Sequence, residues 1–98
     1  MDVHFDLNGV SFVWDDEKAR RNVRAHGGIT FERAAEVFFD PFVQLVDASR
    51  NEEARDAAIG YDVQNQLLYV VHIVFEDAAI RLISARRATK QERDDHDS

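Results

Sequence analysis

An α+β domain is the fold predicted for this chain, and three features of the sequence predict it. Short runs rich in Val, Ile, Phe and Tyr mark strands, apolar residues at helical spacing follow good capping residues, and the two kinds of segment come in the order ββααβββ(β)α. Strands gathered after a helical pair point to an antiparallel sheet with helices mainly on one face. With 98 residues and no repeat, linker or low-complexity segment, one domain over residues 1–98 is expected.

The chain opens with a hairpin. Val3 to Asp6 and Ser11 to Trp14 are the strands, and Asn8-Gly9 between them is a strong two-residue turn signal. Asp15 or Asp16 caps a helix to about His26, which Gly27-Gly28 ends. On it Lys18, Asn22 and His26 lie four apart as one polar stripe, beside a thin apolar face of Ala19 and Val23. Thr30 caps a shorter helix, Phe31 to Phe38, stopped by Asp40-Pro41. Phe42 to Val46 is a strand, Asp47 to Glu53 a polar loop, and Arg55 to Tyr61 the next strand. Leu67 to Phe75 is apolar on both faces, as a central strand covered on both sides must be. A turn at 76–78 returns the chain into a last strand from Ile80, and Thr89 caps a final helix. The acidic tail, 94–98, is expected to fray.

Charge concentrates near the end. From Ile80 to Arg93 there are five cations (Arg81, Arg86, Arg87, Lys90, Arg93) against one carboxylate, Glu92, in a chain of net charge −7. Strand alternation predicts Arg81, Ile83 and Ala85 on one face and Ile80, Leu82, Ser84 and Arg86 on the other. The overall acidity argues against nucleic-acid binding over the whole surface, but not against one small basic site. Ten of the twelve cations are Arg, which suits bidentate recognition of phosphate or carboxylate. No apolar run is long enough to span a bilayer, and the acidic start lacks the basic-then-apolar order of a signal peptide. With no cysteine, neither disulfides nor thiolate metal sites are expected, so the expected address is cytoplasmic. The four His match no compact ligand motif, so no metal or other cofactor is expected.

Four stretches together resemble the BrnT family of bacterial toxins: F-V-W-D-D-E-K-A-R-R-N-V-R-A-H-G, F-E-R-A-A-E-V-F-F-D-P, and R-x3-I-G followed by R-L-I-S-A-R-R-A-T-K-Q-E-R. The resemblance covers nearly the whole chain in order. It implies a RelE-like ribonuclease fold, metal-independent RNA cleavage that halts translation, and neutralisation by a BrnA-like antitoxin. Through that antitoxin's ribbon-helix-helix part, the pair would reach operator DNA. A homodimer and a toxin–antitoxin heterotetramer are both open. The family pattern falls on Trp14, Asp15, Lys18, Asn22, His26, Glu53, Arg55, Gly60, Arg81, Ser84, Ala85, Arg86, Thr89 and Glu92. It departs at Asp56, usually an aromatic, at Ala25, usually basic, and at His96, usually Tyr.

Cutting RNA without a metal requires a base for the 2′-hydroxyl, cations for the charge developing on phosphorus, and an acid for the leaving 5′-oxygen. Arg55, Arg81 and Arg86 are the candidates for the phosphate, because a guanidinium is a fixed, permanently charged fork. Glu53, His26 and His96 are the candidates for moving the proton, with Arg87, Lys90 and Lys18 as further RNA contacts. Each has a plain structural alternative. Arg81 and Arg86 are equally suited to ion pairs with Glu53, Glu76 or Glu92; His26 suits the carbonyls at its helix end. Glu53 lies in a polar loop where solvated carboxylates are the norm, and His72 is expected to be a satisfied core or interface histidine. A second reading keeps the fold without the chemistry: a protein-interaction module that binds a ribbon-helix-helix repressor and tunes its DNA binding.

Overall fold

The computed structural model describes residues 1–74 and 79–98. The expected turn at 76–78, with Glu76 as an ion-pair partner, and Phe75 lie outside the described residues. The elements run β1 (Asp2–Leu7), β2 (Val10–Asp15), α1 (Asp16–Ala25), α2 (Phe31–Glu36), β3 (Gln44–Asp47), β4 (Asp56–Tyr61), β5 (Leu67–Val74), β6 (Ile80–Arg87) and α3 (Lys90–Asp97), with a 3-10 turn at Val37–Phe39 after α2. This is the α+β class expected. Asn8 and Gly9 turn the opening hairpin with φ of 50° and 81°, the left-handed pair that a two-residue turn needs. Asp15, Thr30 and Thr89 cap the three helices by accepting the backbone N–H of Lys18, Arg33 and Glu92.

The six strands form one sheet in the order β1-β2-β6-β5-β4-β3. The expected antiparallel pairing holds for every neighbouring pair except β2 and β6, which run parallel over Phe12↔Ile80 and Val13↔Arg81. Once two helices separate the opening hairpin from the other four strands, it can dock beside β6 in either direction. A period-two pattern carries no information about that choice. The helices also divide differently from expectation. Gly60 faces Val37, so close that an added Cβ would lie 3.0 Å from the Val37 Cγ1, whereas the ring of the next residue, Tyr61, packs 5.5 Å from that of His96 on α3. Adjacent strand residues point to opposite faces, so α2 covers one face and α3 one end of the other.

The core lies on the α2 face. Phe12, Trp14, Ile29, Phe31, Val37, Leu68, Val70, Leu82 and Ala85 are buried there, with Trp14 and Phe31 edge to face at 5.7 Å. Across it, Arg33 reaches the fully buried carboxylate of Asp62 at 2.8 Å and also bonds Gln66, fastening α2 to the turn between β4 and β5. In the tail, α3 continues to Asp97 and the His96 side chain is 3% exposed. A capping box at Thr89 and Glu92, and a Tyr61 Oη bond to Asp97, hold the helix at both ends.

His72 is the core histidine expected: it is 1% exposed, donates from Nδ1 to the Val70 carbonyl at 3.1 Å and meets the Phe38 ring edge-on at 4.8 Å. Burial lowers its pKa from the ordinary 6.5. Below that pH the unfolded chain binds a proton that the folded chain does not, so this stabilisation is complete above pH 6.5 and declines as pH falls. Thermal unfolding should therefore show a melting temperature that falls from about pH 7.5 to about pH 5.5. His72→Leu should flatten that slope; an unchanged slope would show that another group controls it.

Candidate functional site

The site begins with an irregularity in β6. Val71 pairs with Ser84 but His72 pairs with Leu82, so Ile83 has no partner on β5 and bulges. The extra residue reverses the faces beyond it, and the grouping expected from simple alternation is corrected. Leu82, Ala85 and Arg87 pair the core-facing residues of β5, while Arg81, Ser84 and Arg86 pair Ile73, Val71 and Tyr69 on the other face. That face is half-buried, since α3 covers only its end.

Beside the bulge, the β2–β6 ladder, which pairs as far as Val13 and Arg81, has ended, and β6 would present bare backbone. Asn22 on α1 supplies what a strand would have given. Its Nδ2 donates to the Ala85 carbonyl at 2.9 Å and to Ile29 at 3.1 Å, and its Oδ1 accepts the Ala85 N–H at 3.0 Å. The side chain is buried, and it pins α1 along the edge of β6, so that the stripe of Lys18, Asn22 and His26 faces the bulge. His26 is the C-cap of α1, with its backbone N–H on the Asn22 carbonyl at 2.9 Å.

The third wall is a hairpin arm where a polar loop was expected. Ala48 bonds Arg55, and Arg50 and Glu53 exchange both backbone bonds around Asn51 and Glu52, whose φ values are 51° and 67°. The arm extends β3 and β4 past the sheet and carries Ser49, Arg50 and Arg55. Together these walls enclose a groove of about 570 Å³ floored by Tyr69, Val71 and Ser84. A shallower extension shares His26 and Arg55 with it and reaches Lys18 and Arg21. An acidic chain has thus gathered Arg50, Arg55 and Arg86 around the groove and Lys18 and Arg21 around the hollow that adjoins it.

Two of these guanidiniums retain unused donors. Arg86 bonds Glu92 end-on, Nη1 to Oε1 at 2.8 Å and Nη2 to Oε2 at 2.9 Å, and its Nη1 also reaches the Arg87 carbonyl at 3.2 Å. Its Nε–H and the outer Nη2–H, the side-on fork, have no partner among the described residues. That fork matches two oxygens of one phosphate. The Glu92 bonds raise the pKa of Arg86, and the same pair holds the Glu92 carboxyl below its usual range. Arg55 gives one bond to Glu53 at 2.6 Å, while its Nε is buried without an acceptor. An unpaired buried donor costs about 1–3 kcal/mol, and an anion in the groove would relieve it.

The structure thus brings Arg55, Arg86, His26 and Lys18 together, with Glu53 bonded to Arg55. Arg81 points elsewhere, in a two-bond pair with Asp2 at 2.8 and 3.2 Å, about 13 Å along the strand from Arg86. The His96 side chain is buried on the inner side of α3, its Nε2 3.8 Å from Asp40. Arg87 turns toward Gly27 and a shallow hollow beside Arg93, and Lys90 pairs with Asp94 at 3.6 Å on the exposed side of α3. Sequence reasoning missed Arg50 and Tyr69 as lining residues and gave Ser84, a position of the family pattern, no role. Asn-Glu after Arg50 was the available signal, since Asn tolerates the left-handed turn that points Arg50 along the arm.

A family model described as "Ribonuclease toxin, BrnT, of type II toxin-antitoxin system" matches residues 14–92. A search of the curated proteins gave no match. Among solved structures, the chain is similar to the 1.1 Å crystal structure of the Brucella abortus ribonuclease toxin BrnT, with a TM-score of 0.54 and 22% identity over 79% of this chain and 94% of that one. At that identity the likeness concerns the fold.

Proposed function

The chain belongs to the BrnT family of ribonuclease toxins of type II toxin-antitoxin systems, and from that premise we propose that it is an endoribonuclease that needs no metal ion and acts in the groove between α1, β6 and the 48–55 arm. The observation that carries this reading is that one groove is lined by both Arg86, whose side-on fork has no partner among the described residues, and Arg55, whose buried Nε has no acceptor. A phosphodiester fits both. In the reaction, the 2′-oxygen attacks the adjacent phosphorus as its proton leaves to a base. The P–O5′ bond breaks, the 5′-oxygen takes a proton, and the fragments end in a 2′,3′-cyclic phosphate and a 5′-hydroxyl. Arg86 and Arg55 stabilise the charge on the phosphorane oxygens. His26, the imidazole in the groove, is the first candidate to move a proton, and Glu53 beside Arg55 the second.

Cutting RNA in the cytoplasm would stop translation, and the antitoxin implied by a type II system would be a BrnA-like protein that occupies this groove. The test is induction of the chain alone in a bacterial host, with growth and RNA fragmentation followed. Wild type is expected to arrest growth and fragment RNA. Arg81→Ala should do the same at nearly unchanged melting temperature, because its guanidinium is engaged by Asp2 away from the groove. A soluble, folded wild type that does neither would replace this reading with the repressor-binding module. Loss of cleavage in Arg81→Ala at unchanged stability would move the site toward β1.

A further inference from the structure

We infer that Tyr69 is a positioning residue for RNA cleavage, holding the Arg86 guanidinium in the plane that aims its free fork into the groove. The inference rests on the ribonuclease reading and adds to it a residue outside the family pattern. Tyr69 and Arg86 are direct cross-strand partners, and the Arg86 Cζ lies 4.0 Å from the centroid of the Tyr69 ring. A guanidinium over an aromatic face is attracted by the ring's quadrupole, and the contact fixes the plane of the group. It leaves the group free to rotate within that plane.

Glu92 removes the remaining freedom. Its end-on bonds at 2.8 and 2.9 Å lock the in-plane direction, and the carboxylate is itself held by the Thr89 N–H at 2.8 Å in the α3 capping box. With the plane set by Tyr69 and the direction by Glu92, Nε–H and the outer Nη2–H have one orientation. A flexible side chain has then lost its rotamer freedom before substrate arrives, which is the part of the barrier that positioning lowers. The ring face is the feature that matters, so the Tyr69 hydroxyl is not required for this role.

The test compares Tyr69→Phe and Tyr69→Leu, each alone and with Arg86→Ala, on a short RNA oligonucleotide. A cation–π contact of about 0.5–2 kcal/mol converts to roughly 2–30-fold in rate. Tyr69→Leu should therefore lose that factor, mainly in kcat, while Tyr69→Phe stays within about twofold. In the Arg86→Ala background Tyr69→Leu should cost nothing further, because the residue it acts through is gone. An equal loss in both backgrounds would overturn the inference, as would a Phe variant as impaired as the Leu variant. If wild type cuts no RNA, the ribonuclease reading fails. The positioning itself is then read by nuclear magnetic resonance of the Arg86 guanidinium. Its rotation should be slow in wild type and Tyr69→Phe but faster in Tyr69→Leu, and equal rates in all three would contradict it.

Discussion

Arg86→Ala is expected to slow RNA cleavage by about 10²–10³-fold, the loss found when one preorganised donor to a developing oxyanion is removed. Folding should survive the change. Its partner Glu92 keeps the Thr89 N–H at 2.8 Å, and its side chain is 21% exposed, so the freed carboxylate retains a donor and water. Arg86→Lys separates charge from geometry. An ammonium keeps the positive charge but offers no side-on fork, and it cannot bond Glu92 and a phosphate in the same fixed plane. Its rate should fall well below wild type, at a melting temperature close to it. Single-turnover cleavage with thermal unfolding of each variant reads both quantities. A Lys variant as fast as wild type would mean that charge alone suffices, and that the fork has no catalytic consequence.

Asn22→Leu should produce a large loss of stability for a change at one polar side chain. Leu is close to Asn in size but leaves the Ala85 N–H, the Ala85 carbonyl and the Ile29 carbonyl without the side-chain partners they have now. At about 1–3 kcal/mol for each unsatisfied buried group, the sum is about 3 kcal/mol or more. For a domain of this size that corresponds to a fall of roughly 12–24 °C in melting temperature. The damage should not stop at stability. His26 follows Asn22 by one turn and Lys18 precedes it by one, so releasing α1 from β6 displaces one wall of the groove. Cleavage measured well below the variant's melting temperature should therefore also drop. A melting temperature within a few degrees of wild type would show that water replaces the side chain, and that α1 is held chiefly by its apolar contacts.

What could be read from the sequence was local. Asn8-Gly9, Asp15, Thr30 and Thr89 dictate a turn and three helix starts through the chemistry of single residues, and the structure has each where expected. The two-sided apolar run at Leu67 marked the interior strand β5 for the same reason. Features set by distant partners were not legible. Nothing in R-L-I-S-A-R-R announces that Ile83 bulges, because the bulge is a mismatch of register with β5. That single residue decides that Ser84 and Arg86, and not Ala85, line the groove. The parallel docking of β2 on β6 is likewise a tertiary choice. So is the fate of the tail: His96 and Asp97 look solvated in isolation, but α3 finds Asp40 and Tyr61 to pack on.

The candidate site divides along the same line. Arg55, Arg86 and His26 were named from residue type and family pattern, and folding brings them to one groove. Arg81 satisfied the same criteria and is engaged by Asp2 at the far end of the strand. Its neighbour in space comes from the opening hairpin, 79 positions away in the chain, so no local pattern could reveal the pair.

The most direct measurement of the central claim is incubation of the purified chain with a short RNA in excess chelator, beside the same oligonucleotide carrying a single 2′-deoxy substitution at the cleaved position. The account predicts that the RNA is cut to a 2′,3′-cyclic phosphate and a 5′-hydroxyl in the absence of any free divalent ion, and that the deoxy substrate survives. Cleavage that appears only when magnesium is restored, or that proceeds equally on the deoxy substrate, would contradict it, because the attacking oxygen or the charge on phosphorus would then be handled by something other than the groove's own side chains.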